Sequence, residues 1–290
     1  MLGLNQILRS AGLDPREVAV ILHTPVERRL KRLLPMLVRE RPEVFDAYQS
    51  AHGPTATATL RARPFVASFV DTGDQSLILA GLYANEGVRD RPRAEIGAEP
   101  GVRALIEEFG SYTEFAGALD GHWPWFTLRR TDLLADLVGR LRIAPRLTRT
   151  YIRLAENLDA RVIAVERTSA LDVPAPDWRE MMPTGPEVRV LPQTWKARLR
   201  EWRGVYLIVD QSDGRRYVGS AYGDANILGR WTEHVAGGAG VTVELRRRDP
   251  RQFRFSILER VSPDLPADEV IGLERGWMDR LDTIRHGLNA

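Results

Sequence analysis

Cysteine is absent from this 290-residue chain. Disulfides, thiolate metal sites and cysteine nucleophiles are excluded together, and a reducing, cytoplasmic setting is the expectation. Lysine is scarce as well: of 41 basic residues, all but Lys31 and Lys196 are arginine. The planar fork of arginine matches phosphate geometry better than an ammonium does. A strong charge of one sign is also missing, because 39 acidic residues leave a net charge of only +2. Contact with nucleic acid must therefore come from local patches. The run Arg246, Arg247 and Arg248, with Arg251 and Arg254 close behind, is the candidate DNA-binding patch; a solvated loop explains the same run equally well. No apolar stretch approaches the ~18 residues that a membrane span needs. The opening residues MLGLNQILRSAGLDP lack a basic segment followed by an apolar core, so neither a secretory leader nor a membrane partner is expected. In the first 170 or so positions no phosphate-binding glycine loop and no metal-ligand spacing occurs. His23, His52 and His122 are scattered singly, as structural histidines usually are.

Hydrophobic residues make up 43% of the chain and charged residues 28%, an ordinary globular balance and enough length for two domains. The clearest boundary is residues 172–194, which hold Pro174, Pro176, Pro183, Pro186 and Pro192. Proline at this density blocks helix interiors and central strands, so the stretch reads as a linker or an irregular wrap. The expected layout is a mixed α+β domain over 1–171, a proline-rich linker over 172–194, and a second domain over 195–290.

In the first domain, Asn5–Ala11, Pro25–Val38, Pro42–Gln49, Val102–Phe109 and Asp132–Leu141 read as helices. Phe65–Val70 and Leu77–Tyr83 are β-rich runs around Thr72-Gly73-Asp74, a hairpin pattern. Tyr151–Leu154 and Ala160–Glu166 read as short strands. The mixture predicts α+β rather than a doubly wound sheet. The cluster Trp123-Pro124-Trp125-Phe126 fits either core packing or the stacking of an unpaired base.

The second domain is more informative. Thr194–Trp202 reads as a helix, Gly204–Val209 as a strand, Asp213-Gly214 as a tight turn, and Arg216–Gly219 as the returning strand. The hairpin carries Tyr206 and Tyr217. A helix over Ala225–Val235 puts Leu228, Trp231 and Val235 on one side and Arg230 and His234 together on another. That pair is either solvent-exposed or an anion clamp with its neighbour. A strand is expected over Arg254–Arg260 and a helix over Ala267–Leu281. On that helix Val270, Ile271, Trp277, Met278 and Leu281 form an apolar arc with Glu274 in its middle. A carboxylate on a core-facing stripe is costly unless it is paired or holds a metal.

Taken in order, Gly204-Val205-Tyr206, Tyr217-Val218-Gly219, Arg230, His234, Glu274 and Asn289 resemble the defining elements of the GIY-YIG nuclease superfamily, over about residues 203–289. Valine replaces isoleucine in both named elements, which keeps the branched strand packing. The resemblance implies a small three-stranded antiparallel sheet flanked by helices, and hydrolysis of DNA phosphodiesters with one divalent cation, Mg²⁺ or Mn²⁺. It implies that Glu274 holds the cation, that Tyr206 is the base or orients the water, and that His234 or Tyr217 relays its proton. It implies further that Arg230 neutralises phosphate charge and that Asn289 braces the arrangement. The first domain is then expected to choose the target. Its hairpin with strand Tyr151–Leu154 is similar to barrel-like readers of modified bases, which points to restriction of modified foreign DNA. A structure-specific repair or recombination nuclease and a non-catalytic DNA-binding protein are the alternatives. A homodimer on DNA is a further expectation.

Overall fold

The computed structural model describes residues 2–74, 76–117, 120–145, 150–237 and 242–289. The chain divides into two compact units, Met1–Asp172 and Val173–Ala290. Both are α+β, and among the described residues no helix is long and apolar enough to cross a membrane.

The first unit runs α1 (Leu4–Ser10), β1 (Val18–His23), α2 (Arg28–Glu40), α3 (Pro42–Tyr48), α4 (Pro54–Arg61), β2 (Phe65–Asp71), β3 (Leu77–Pro92), α5 (Arg93–Ala98), α6 (Pro100–Glu107), β4 (His122–Arg130), β5 (Leu141–Pro145), β6 (Ile152–Leu154) and β7 (Ala160–Val165). Its sheet has the order β6-β1-β2-β3-β5-β7, and β4 also pairs with β3. The 16-residue β3 is long enough to serve both partners, pairing through Leu77 and Ile78 with β5 and from Tyr83 onward with β4. β1 and β2 are parallel, from Val18 opposite Phe65 to His23 opposite Val70, and α2 to α4 make the crossover. All six residues of β1 are buried, and its sequence is accordingly a continuous apolar run rather than an alternating one.

Two expectations for this unit do not hold, and a third alternative is decided. Asp132–Leu141 is not a helix: it holds one short 3₁₀ turn, Ala135–Leu137, and then enters β5. Leu134 and Gly139 take φ of 59° and 71°, and left-handed residues end a right-handed helix. The sheet is open, with β6 and β7 at its edges, rather than a barrel. The Trp123–Phe126 cluster lies on β4 as packing. Phe126 is buried, Trp123 meets Phe115 edge-on at 5.8 Å, and Arg93 and Arg91 cover Trp123 and Trp125.

The second unit runs α7 (Gly185–Arg189), α8 (Gln193–Glu201), β8 (Arg203–Asp210), β9 (Arg216–Ala221), α9 (Asn226–Ala236), α10 (Val243–Arg246), β10 (Phe253–Val261), α11 (Ala267–Arg280) and α12 (Thr283–His286). β8 lies between β10 and β9, antiparallel to both. Side chains alternate across the sheet, and the two faces differ. Tyr206, Ile208, Tyr217, Phe253, Phe255 and Ile257 join Leu228, Trp231 and Val235 of α9 in one buried core. The opposite face carries α11, of which only Val270 is fully buried. The apolar arc expected on that helix is thus half-exposed: Ile271, Trp277, Met278 and Leu281 are all partly accessible.

The proline-rich stretch is a wrap, not a free linker. Met181, Val188 and Leu191 are buried in the second unit's core. Proline suits the first turn of a helix, where its missing N–H costs nothing, and Pro186 sits there in α7 behind a Thr184–Glu187 capping box. Phe255 donates its backbone N–H to Pro183 at 2.9 Å, so the wrap covers the outer edge of β10. The far end of the chain covers β9: Leu288 N–H donates to the Arg216 carbonyl at 2.8 Å. Both edges of a three-stranded sheet are thereby closed to further pairing.

Candidate active site

Two glycines set the site's backbone. Gly204 has φ of 147° beside the bulge between Ile257 and Glu259, and a Cβ there would lie 1.9 Å from the Glu259 carbonyl oxygen. Gly219 is the register partner of Tyr206. A Cβ on Gly219 would lie 2.5 Å from the Tyr206 hydroxyl, so only glycine lets the ring cross the neighbouring strand. Gly219 is therefore required by the position of Tyr206, and Gly204 by the close approach of β10.

The Tyr206 hydroxyl meets His234 Nε2 at 2.7 Å, with both residues buried. Tyr217 packs edge-on to the same imidazole at 5.3 Å. Arg230, one turn before His234 on α9, ion-pairs with Glu233 at 2.5 Å and lies near enough to both tyrosine hydroxyls to favour their charged forms. Arginine can only donate. A Tyr206 oxygen that accepts from Arg230 can place its own proton on His234 Nε2; the ring proton then sits on Nδ1, which is buried with no hydrogen-bond partner among the described residues.

Burial pushes the Tyr206 phenol well above its ordinary value; neighbouring Tyr217 adds to this and Arg230 opposes it. Tyr217 is raised by burial and then by the Glu274 charge, again against Arg230. Burial, helped by the Arg230 charge, lowers His234 to about 3. At neutral pH the cluster is thus two phenols, one neutral imidazole and one guanidinium. The positive charge that a tyrosine base needs is present in Arg230, yet desolvation outweighs it in the resting protein.

Glu274 stands on α11, which packs against β9 and β8. Its Oε2 accepts from the Ser220 hydroxyl at 2.6 Å, and its Oε1 has no hydrogen bond among the described residues. By strand alternation Ser220 points to the opposite face from Tyr217 and Gly219, so carboxylate and tyrosines approach β9 from its two sides. Ser220 is a contact the sequence reading missed; its only signal was its place one residue after Gly219.

Asn289 pairs with both backbone groups of Val218: Val218 N–H donates to Oδ1 at 2.8 Å, and Nδ2 donates to the Val218 carbonyl at 2.7 Å. It acts as a one-residue extension of the sheet directly behind Tyr217. The six residues singled out from sequence thus come to two adjoining strands, two helices and the chain's end.

The arginine run does not form one patch. Arg248 is clamped between Asp210 and Asp213 at 2.8 and 2.7 Å, holding the β8–β9 turn. Arg251 pairs with Asp249 and Arg247 with Glu244. Arg246, Arg247 and Arg254 remain exposed.

No family model matches the chain, and no curated protein matches it. Among solved structures, the catalytic domain of homing endonuclease I-TevI is 26% identical, covering 30% of this chain and 95% of that one at a TM-score of 0.25. A mutant of the catalytic domain of intron endonuclease I-TevI gives 25% identity, 30% and 92% coverage and a TM-score of 0.26.

A divalent cation fits Glu274 in one way only. Among the described residues there is no cluster of three histidine or acidic side chains, so an all-protein cage is excluded there. Mg²⁺ commonly keeps several waters and binds one or two carboxylates plus substrate phosphate. A half-exposed carboxylate, oriented by Ser220 and with Oε1 open, meets that requirement.

Proposed function

We propose that the second unit is a DNA endonuclease that hydrolyses phosphodiesters with one divalent cation, Mg²⁺ or Mn²⁺, held at Glu274. The observation that carries this reading is the Tyr206–His234 hydrogen bond with Arg230 on the same hydroxyl and Glu274 across β9. A buried phenol and a buried imidazole in contact, beside a half-buried guanidinium, are poor choices for stability alone, since each desolvated polar group must be satisfied. Together they can accept a proton and neutralise a phosphate.

The residues would act as follows. Arg230 binds a non-bridging oxygen of the scissile phosphate and offsets the charge that builds there. A water attacks phosphorus. Its proton passes to the Tyr206 oxygen while the Tyr206 proton passes to His234 Nε2. The P–O bond to the leaving oxygen breaks, and that oxygen takes a proton from solvent. The cation, when bound, supplies Lewis-acid stabilisation of the leaving oxygen. The relay explains how a phenol with a raised pKa takes part: it never has to exist as a free phenolate. Tyr217 and Asn289 hold the strand and the imidazole in place. Arg246, Arg247 and Arg254 are the candidates for flanking phosphates. Target choice, including restriction of modified foreign DNA, falls to the first unit.

Incubating supercoiled plasmid with the full chain tests the proposal. Nicked or linear product is expected with Mg²⁺ or Mn²⁺ and none with a chelator. Cleavage that continues undiminished in chelator would remove the cation from the account.

A further inference from the structure

At the carboxyl end of β1 the first unit holds a concave cavity of about 450 Å³. Open sheets with parallel strands bind ligands at that end of the strand, and the volume lies within the range of small-molecule sites. Its walls are aromatic. The Tyr48 ring lies 5.3 Å from His23 and 5.5 Å from Tyr112, and Tyr151 lies 6.0 Å from His52. Two polar atoms of lining residues, His23 Nε2 and Ser111 Oγ, are buried without a hydrogen-bond partner among the described residues. His23 is 4% exposed and Ser111 6%. Such atoms are uncommon in folded proteins and call for an explanation; a ligand with a hydrogen-bonding edge provides one. Tyr112 is held at φ of 60°, the kind of strain that gathers at ligand clamps.

The mouth narrows the choice of ligand. Glu27 and Glu114 line it, so an anionic group is not what enters; an uncharged ring is. Val26, also at the mouth, is fully exposed at 101%. Arg28 and Arg29 follow at the start of α2 and have no ion-pair or hydrogen-bond partner among the described residues. An apolar side chain beside free arginines at an aromatic cavity is what a protein needs to enter a base stack and hold the phosphates next to it.

We propose that this cavity receives a single nucleobase turned out of a DNA duplex. Tyr48, Tyr112 and Tyr151 stack on the ring, and His23 and Ser111 read its edge. Val26 fills the gap left in the stack, and Arg28 and Arg29 hold the flanking phosphates. The proposal takes from the nuclease reading only that DNA is the polymer. It is tested without divalent cation, so failure of base capture and failure of cleavage are separate results.

The test is fluorescence anisotropy of the full chain in chelator, with end-labelled short duplexes that are fully paired or carry one extra unpaired base. Extrusion costs least for an unpaired base, so the wild type is expected to bind the bulged duplex about 10-fold tighter or more. Tyr151→Ala, which also removes the 3.1 Å partner of His52 Nδ1, and Ala51→Phe, which fills the cavity, should each bring that ratio close to one, with circular dichroism showing that the variants are folded. Val26→Ser should weaken the paired duplex more than the bulged one, which leaves no gap to fill. Arg28→Glu should weaken both and lower the salt dependence. Equal wild-type affinity for the two duplexes overturns the proposal, as does an unchanged ratio in folded Tyr151→Ala and Ala51→Phe. Saturation by free deoxynucleoside monophosphates, with no preference for the bulged duplex, would assign the cavity to free nucleotides instead and also defeat it.

Discussion

In the second unit His234 meets the Tyr206 hydroxyl at 2.7 Å with Arg230 on the same oxygen. In the first unit His23 and His52 also lie among tyrosines, Tyr48, Tyr112 and Tyr151, but among the described residues no arginine or lysine lines that cavity. Burial holds all three imidazoles neutral, with His23 and His234 lowered to about 3 and His52 to about 4. The same residue types therefore serve two ends. Where a guanidinium reaches the cluster, a phenol and an imidazole are equipped to move a proton; where none does, they offer flat rings with hydrogen-bonding atoms. The proposed division between a reaction centre and a receptor therefore rests on the guanidinium, not on the aromatic residues.

That contrast can be broken most severely at Tyr206. Tyr206→Phe keeps the ring and removes the oxygen shared by Arg230 and His234. General acid–base groups typically contribute 10²–10⁴-fold, so plasmid cleavage should fall by about that factor. Tyr151→Phe in the first unit should leave the rate on plain DNA unchanged. Equal losses from both would mean that the two clusters are not functionally distinct.

Gly219→Ala comes next. The new Cβ would press on the Tyr206 ring, whose buried surroundings leave it no place to go. Overpacking of this kind costs about 1–3 kcal/mol, and cleavage should drop with it. Chemical denaturation of the variant reads the first effect and a plasmid assay the second. An alanine here with wild-type stability and rate would show that the ring does not need the strand's bare surface.

The smallest effect is on pH dependence. The three histidines have folded pKa values below their ordinary 6.5, so between about 6.5 and 4 the unfolded chain binds protons that the folded one does not. Stability is complete above pH 6.5 and falls as the pH is lowered, each group adding up to about 1.4 kcal/mol per pH unit. The melting temperature should drop between pH 7 and pH 5, and His234→Gln should flatten the part of that slope belonging to the second unit. A melting temperature that rises on acidification would mean that the imidazoles charge readily in place.

The two units also differ in how much the sequence disclosed. Strands β8, β9 and β10 and helices α8, α9 and α11 fall within two residues of their expected ends. Alternation around Tyr206, the Asp213-Gly214 turn and the spacing of Leu228, Trp231 and Val235 are local signals, and local signals survive folding. The wrap over 173–194 has no period to read, and Met181, Val188 and Leu191 are fixed by the core they meet. In the first unit β1 carries no period-2 signal, because a strand buried on both faces does not alternate. Asp132–Leu141 kept a helical pattern of leucines that two left-handed residues override. The cavity joins residues from His23 to Tyr151, far apart in the chain, so nothing in the sequence marks it. At the candidate site the ordered motifs supplied the residues. Their protonation states, the Ser220 contact and the pairing of Arg248 with Asp210 come only from the packing.

The central claim is that the phenol–imidazole–guanidinium cluster and the Glu274 carboxylate form one hydrolytic centre. Its most direct test is the Mg²⁺-dependent cleavage rate of Glu274→Ala beside the wild type on the same plasmid, with melting and DNA binding measured on both. The variant should show no detectable cleavage, melt close to the wild type because Glu274 is half-exposed, and retain its DNA affinity. A Glu274→Ala protein that cuts at the wild-type rate would contradict it.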